Sequence, residues 1–302
     1  MSCIPLIPIN SINTFMALGD SISAGLAILG KLEENRGLSF PIGQDPNALT
    51  LPNLFKKYTG NTLYGGSTGN HFIEYVNWSY YEEDGLNAAQ SGAIIQDITF
   101  QIDYLTNKTI PLDKKWSHIN LFIGANNLCK SCKNNTQDSA ESFQMELINI
   151  IDKIFSSFQN VIVSMLSLPN FTNLKKLEDS FGCKILHLFV TECFCIFHGT
   201  DKDIEYVSNL TREYNKVIRD VYFSKKPTYP TLLLHPFNEE TDVPSEEYVS
   251  TFDCFHPSLI AHENFAIATW NSLFLPFPKK FTKWNFDSSI YVPSLDDYIR
   301  LT

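Results

Sequence analysis

The stretch Thr14-Phe-Met-Ala-Leu18-Gly19-Asp20-Ser21-Ile-Ser-Ala-Gly25 decides the fold. A short, largely apolar run closing on Gly-Asp-Ser reads as a buried strand that ends in a sharp turn. The pattern recurs in His118–Ile123 before Gly124, in Asn160–Leu168 before Pro169, and in Thr231–Leu234. A weaker fifth strand is expected within Asp84–Ala89, just before or across Asn87. Helical patterns lie between these runs. Ser139–Phe158 places Phe143, Leu147, Ile150, Ile151 and Ile154 on one face. Lys202–Phe223 does the same with Ile204, Val207, Leu210, Tyr214, Val217 and Val221, and Ala261–Phe274 gives a last helix. Strands alternating with helices predict βαβ units, hence an α/β fold with a central parallel sheet covered on both faces. No repeat or linker divides residues 1–302, which are expected to form one domain, with 276–302 a tail packed on it. Ligands of such a sheet bind outside the carboxyl ends of its strands, so polar residues directly after the apolar runs are the ones to question.

Composition narrows the partners. Lys and Arg number 23 against 33 Asp and Glu, a net charge of −10. No basic footprint for nucleic acid follows from that balance. An apolar share of 44% excludes a disordered chain. No uninterrupted apolar run reaches the roughly 18 residues of a membrane-spanning helix. The most apolar stretch, Ile185–Phe197, is broken by His187 and Glu192.

Seven cysteines, Cys3, Cys129, Cys132, Cys183, Cys193, Cys195 and Cys254, leave three readings open. They are disulfides in an oxidising compartment, buried thiols, or a zinc site built from Cys129-x-x-Cys132 and Cys193-x-Cys195. Five N-x-S/T sequons, at Asn77, Asn107, Asn134, Asn170 and Asn209, permit a secretory route. Met1–Asn13 lacks the basic start and apolar core of a signal peptide. The expectation is a secreted, secretory or lysosomal protein if the chain begins short of its native N-terminus, and a cytoplasmic one otherwise.

Ser21 follows the first strand directly. A helix beginning there would set backbone N–H groups and a positive dipole end beside its hydroxyl, although Ser21 could equally be a plain N-cap. The segment is not the G-x-S-x-G elbow, because Ser23 stands where its last glycine would be. Asp253-Cys-Phe-His256 can fold into one turn, so that the carboxylate holds one ring nitrogen and leaves the other for a hydroxyl. The bland alternative is an aspartate capping a turn beside an unrelated histidine. Asn126 follows a central strand, and Gly92 closes Asn87-Ala-Ala-Gln-Ser-Gly92. An amide side chain and a glycine N–H can both donate to an oxyanion, or serve as ordinary turn residues. His71, His118, His187, His198, His235 and His262 show no metal-ligand spacing, and Gly65-Gly-Ser-Thr-Gly69 lacks the lysine of a phosphate-binding loop.

Taken together, Gly19-Asp20-Ser21, Gly92, Gly124-x-Asn126 and Asp253-x-x-His256 resemble the four blocks of the SGNH (GDSL) hydrolases. Further segments resemble the phospholipase B-like branch: Arg36-Gly-Leu-Ser-Phe-Pro-Ile-Gly43, Thr50-Leu-Pro-Asn53, Ser67-Thr-Gly69, Leu121–Cys129 with Cys132, and Asp253–His262. The likeness runs from about Phe15 to Leu275. It implies a flavodoxin-like three-layer α/β/α fold and a serine esterase or lipase that uses no metal or other cofactor. It implies Ser21 as nucleophile, His256 as base and Asp253 as its orienter. The oxyanion hole would comprise the N–H groups of Ser21 and Gly92 and the amide of Asn126. One departure stands out: the family pattern is usually Gly-x-Asn-Asp, and Asn127 replaces the aspartate.

The implied substrates are glycerophospholipids and lysophospholipids, met at a membrane or micelle surface without a transmembrane anchor. A net charge of −10 offers no pull towards anionic lipid. Trp78-Ser-Tyr-Tyr81 and the tail Phe274–Trp284 are either apolar insertion elements or, as large aromatics more often are, core packing. A carbohydrate O-acetyl esterase of the same superfamily is the alternative activity, and a catalytically inactive binding protein on this scaffold is the alternative class.

Overall fold

The structure is a computed structural model. It describes residues 6–73, 79–108, 115–133, 136–177, 193–226, 228–229, 231–294 and 296–301. Four strands form one parallel sheet: β1 (Ile12–Gly19), β2 (Trp116–Phe122), β3 (Val161–Leu166) and β4 (Leu232–His235), in that spatial order. The register pairs Leu18 with Leu121, Leu121 with Met165, and Met165 with Leu234. Strands β1, β3 and β4 are buried along their whole length. That explains why they read as continuous apolar runs rather than alternating ones.

The helices are α1 (Ser21–Ala24), α2 (Leu51–Thr59), α3 (Ile98–Thr106), α4 (Ala125–Lys130), α5 (Ala140–Ser157), α6 (Asp201–Lys225) and α7 (Leu259–Leu273). Helices α3, α5 and α6 pack side by side on one face of the sheet. On the other face α2 lies against α7, with Phe55 edge-on to Trp270 and Phe15 of β1 edge-on to Phe55. The result is the three-layer α/β/α sandwich expected of the sequence. Helix α5 starts where Ser139 accepts from the Ser142 N–H, and α6 starts at a Thr200/Asp203 capping box.

The fifth strand within 84–89 is not a strand. Only Ala17 and Asn87 bridge there, and Tyr64 bridges Thr14 lower on the same edge. Two short segments share the edge of β1 because the chain turns at Gly85, which suits glycine alone: its φ is 57°, and a Cβ there would stand 2.6 Å from the Gly66 carbonyl oxygen. Helices α2, α3 and α4 are not among the helices expected: α4 is too short at six residues to show a periodicity, whereas α2 and α3, nine residues each, carry only a single buried stripe of two turns.

The tail lies on the core. Ile7–Pro8 pairs antiparallel with Tyr298–Ile299. The Trp270 indole donates to the Tyr291 carbonyl, and Trp284 is buried, its indole donating to Asn264.

Candidate active site

Strand β1 ends at Gly19 because nothing larger fits: a Cβ there would stand 2.5 Å from the Phe122 carbonyl of β2. Asp20, not Ser21, caps the next helix, its Oδ1 accepting from the Ile22 N–H at 3.0 Å. Ser21 is thus the first residue of α1, just beyond the carboxyl edge of the sheet. Burial pushes the Asp20 carboxyl up to about 6, against the pull of the Ile22 amide and of His256. Gln101 fixes the turn from below. Its side-chain amide donates to the Gly19 carbonyl at 2.7 Å and accepts from the Gly19 N–H at 2.8 Å. It was legible in principle: Gln101 is the one polar member of the stripe Ile98, Gln101, Ile102, Leu105, all buried.

The distant Asp253–His256 turn closes on this hydroxyl. His256 Nε2 lies 2.8 Å from Ser21 Oγ, and His256 Nδ1 lies 2.7 Å from Asp253 Oδ2. Asp253 Oδ1 accepts from the backbone N–H groups of Phe255 and His256 at 3.0 and 2.9 Å. Burial by itself would raise this carboxyl. The imidazole charge and the hydrogen bonds from the ring and the two amides outweigh it, holding Asp253 below the usual carboxylate range. All three residues are more than nine-tenths buried, which strengthens each contact relative to water.

Asn126 and Gly92 flank β1: Asn126 follows β2, and Gly92 follows the segment on the other edge of β1. Asn126 is the second residue of α4. Its Nδ2 donates to the Ala93 carbonyl at 2.9 Å and has a second N–H to give. Gly92 has φ +85°, which a side chain would strain. The segment before it runs beside β1, with the Gln90 N–H donating to the Gly19 carbonyl. The departure at Asn127 has a local explanation. Its Oδ1 accepts from the Ile95 N–H at 3.0 Å, and its Nδ2 donates to Asp138 Oδ1 at 2.8 Å and to Gln96 Oε1 at 3.3 Å. Asp138 supplies the carboxylate, so position 127 must supply a donor.

A buried ion cluster, which the sequence did not announce, supports the same loop. Arg36 pairs with Glu34 at 2.7 Å and with Asp84 at 3.1 Å, and donates to the carbonyls of Asn87 and Ala89 at 3.0 and 2.9 Å. Ser91, next to Gly92, donates to the other oxygen of Glu34. Ion pairs this dry are costly to break from one side, by about 3–5 kcal/mol.

The four thiols of the zinc alternative are taken up otherwise. Cys129 is bonded to Cys193 and Cys132 to Cys195, stapling α4 to the short helix Phe194–Phe197. Cys254 is disulfide-bonded as well. Cys3, Cys183 and Trp78 lie outside the described residues, as do Asn77 and Asn134. Of the aromatic candidates, Tyr80 stacks on Tyr104, while Phe274, Phe277 and Phe281 pack against the core. Among the described residues no helix is long and apolar enough to cross a membrane.

A parallel sheet carrying a Ser–His–Asp hydrogen-bonded chain at its carboxyl edge has the architecture of an ester hydrolase. The family model described as GDSL-like Lipase/Acylhydrolase matches residues 15–269, and the chain belongs to that family of carboxylic ester hydrolases. It is 26% identical, over 93% of its length, to "Phospholipase B1, membrane-associated" of Homo sapiens. The proteins of the same name from Mus musculus and Rattus norvegicus are 28% and 29% identical over 90% and 83% of the chain. The chain spans about a fifth of these relatives: 21%, 20% and 18% of their lengths. Among solved structures, a family 3 carbohydrate esterase from Clostridium thermocellum superposes with a TM-score of 0.48 at 17% identity, covering 86% of this chain and 94% of that one. Phospholipase A1 from Streptomyces albidoflavus gives 0.44 at 14% identity, covering 85% and 98%.

Proposed function

We propose that this chain is a phospholipase B-like serine hydrolase, cleaving acyl esters of glycerophospholipids and lysophospholipids through an acyl-enzyme. The observation that carries the reading is the continuous contact Ser21 Oγ–His256 Nε2–Asp253, at 2.8 and 2.7 Å. In the first step Ser21 Oγ bonds to the ester carbonyl carbon and its proton passes to His256 Nε2. The carbonyl electron pair moves onto oxygen, where the N–H groups of Ser21 and Gly92 and the Asn126 amide receive it. Collapse expels the alcohol, which takes the proton from Nε2. Water then gives up a proton to Nε2 and attacks the acyl carbon, and collapse breaks the bond to Ser21 Oγ, which takes that proton back from Nε2 as the fatty acid leaves. Asp253 holds the imidazole in the tautomer this needs.

Ser21→Ala is expected to abolish both turnover of lysophosphatidylcholine and covalent labelling by a fluorophosphonate. Near wild-type turnover by the purified variant would refute the assignment. A wild-type protein that binds lipid but never labels would identify an inactive binding module instead. Far faster release of acetate from acetylated xylan than of fatty acid from lysophosphatidylcholine would identify a carbohydrate esterase. Activity should fall in acid as the imidazole takes a proton, and a flat profile from about pH 5 to 8 would exclude His256 as base.

We further infer that residues 1–302 act as one catalytic domain, made in an oxidising compartment. The disulfides of Cys129, Cys132 and Cys254 support that placement. So do exposed sequon asparagines at Asn107 and Asn209. Asn170 is less available, since its side chain is held by Thr172 and Ser208. Mass spectrometry of native material should find glycan at Asn209; fully reduced cysteines and unmodified sequons would argue for the cytoplasm.

A further inference from the structure

The reading above leaves open what lies beside Ser21. An apolar cleft open to solvent lies beside the proposed catalytic residues: its lining includes Ile22, which follows Ser21, and Phe255 and Pro257, which flank His256. It runs past Phe171, behind β3, and Phe237, behind β4, to Trp284 and Phe286 of the C-terminal segment. Aromatic rings from several segments build the wall in separate clusters. Phe255 stands 6.0 Å from Phe171 and 5.1 Å from His256, Phe237 lies 6.2 Å from Phe281, and Phe286 meets Tyr248 at 4.7 Å.

Of the polar residues lining the cleft, Asp242 is exposed and accepts from Asn173, and three others are turned to the protein. The Asn238 side chain donates to Ser167, Thr241 donates to the Phe237 carbonyl and accepts from the Trp284 N–H, and Asn264 accepts from the Trp284 indole. A sugar would find little to hydrogen-bond there, whereas methylenes would leave water for an apolar surface. The family match stops at residue 269, yet Trp284 and Phe286 lie beyond it.

We propose that this cleft holds the scissile acyl chain of the substrate, and that Trp284 and Phe286 close its wall and set the chain lengths accepted. The proposal rests on the Ser21 reading and deepens it by naming the acyl site. A chain that fills the cleft gains about fourfold in kcat/KM per methylene buried.

The test uses p-nitrophenyl esters, which vary the acyl chain under one leaving group, from acetate to decanoate. Val243, half-buried on the cleft wall, is replaced by a larger ring in Val243→Trp. The ratio of kcat/KM on decanoate to that on acetate is expected to fall at least tenfold. Phe286→Ala should move the preferred length by two or more carbons. It stands in for Trp284→Ala, which loses the indole hydrogen bond to Asn264 and a buried ring, and could unfold. An unchanged ratio in both folded variants would overturn the proposal. So would a shift that follows the alcohol instead, seen with decyl acetate against ethyl acetate. If wild-type protein hydrolyses none of these esters and Ser21 does not label, the enzymatic reading itself has failed. If it hydrolyses them without these shifts, only the acyl site has.

Discussion

The two flanks of Ser21 are built from opposite materials. On the β1–β2 side the walls are hydrogen bonds: Gln101 on the Gly19 peptide, Arg36 on the carbonyls of residues 87 and 89, and Asn127 between Ile95 and Asp138. On the β3–β4 side the walls are side-chain carbon: Phe171, Phe237, Phe255 and Trp284. Hydrogen bonds fix positions to fractions of an ångström but lose everything when bent, whereas apolar contacts are graded by area. On the proposed mechanism the site must hold three donors around one oxygen, yet accept a flexible chain, which is a reason to use each material where it stands. Damage to the first flank should lower turnover of every ester alike. Damage to the second should re-rank the esters.

The largest effect expected on the polar flank is that of Asn126→Ala. Loss of one oxyanion donor typically lowers kcat by about 10²–10³, or ~3–4 kcal/mol. Steady-state rates on p-nitrophenyl acetate and decanoate should fall by the same factor. Unequal loss would mean that Asn126 touches the acyl chain and that the division between the flanks is wrong.

Next comes Asp20, which caps the helix that Ser21 begins. Its folded-state value of about 6 lies above the ordinary 3.8, so ionisation costs more in the folded protein than in the unfolded chain. Its stabilising contribution is full below about 3.8 and is lost as pH rises through about 6. The difference corresponds to on the order of 3 kcal/mol. Asp20→Asn keeps an N-cap acceptor and removes the ionisation. Denaturant unfolding of both proteins at pH 4 and pH 7 should show wild type losing stability relative to the variant by that order. A pH-independent gap would assign the acid behaviour to other groups.

The same contrast governs what could be read from the sequence. Apolar runs announced β1 to β4, α5, α6 and α7, because burial on both faces or on one helical stripe leaves a periodic trace. Ser21, His256 and Asp253 were legible from their place after strands or in one turn. The supports were not. Gln101, Arg36 and Asp138 act across 82, 51 and 11 positions of chain; Gln101 stands out as the polar member of a buried stripe, but nothing in the sequence names a partner so far away. The acyl cleft was invisible for a different reason. Its aromatics come from at least four segments and look like ordinary core residues until the fold leaves space between them.

The smallest expected effect bears on the departure at position 127. An aspartate there would face Asp138 at the 2.8 Å now spanned by an N–H···O bond, and would have no proton to donate to Gln96. Asn127→Asp should therefore destabilise the loop between Gly92 and α3, by about 1–3 kcal/mol for a buried hydrogen bond turned into an unsatisfied or repulsive pair. Asp138→Asn restores a donor and an acceptor with the roles exchanged, so the double variant should recover most of the loss. The double variant, read from thermal or denaturant midpoints, should be more stable than the sum of the two single losses predicts, by on the order of 1 kcal/mol. Additive losses would show that position 127 tolerates either residue on its own account. The polar flank would then be less tightly specified than its hydrogen bonds imply, because a wall built of matched donors and acceptors must respond to an exchange of partners in a way that an apolar wall does not.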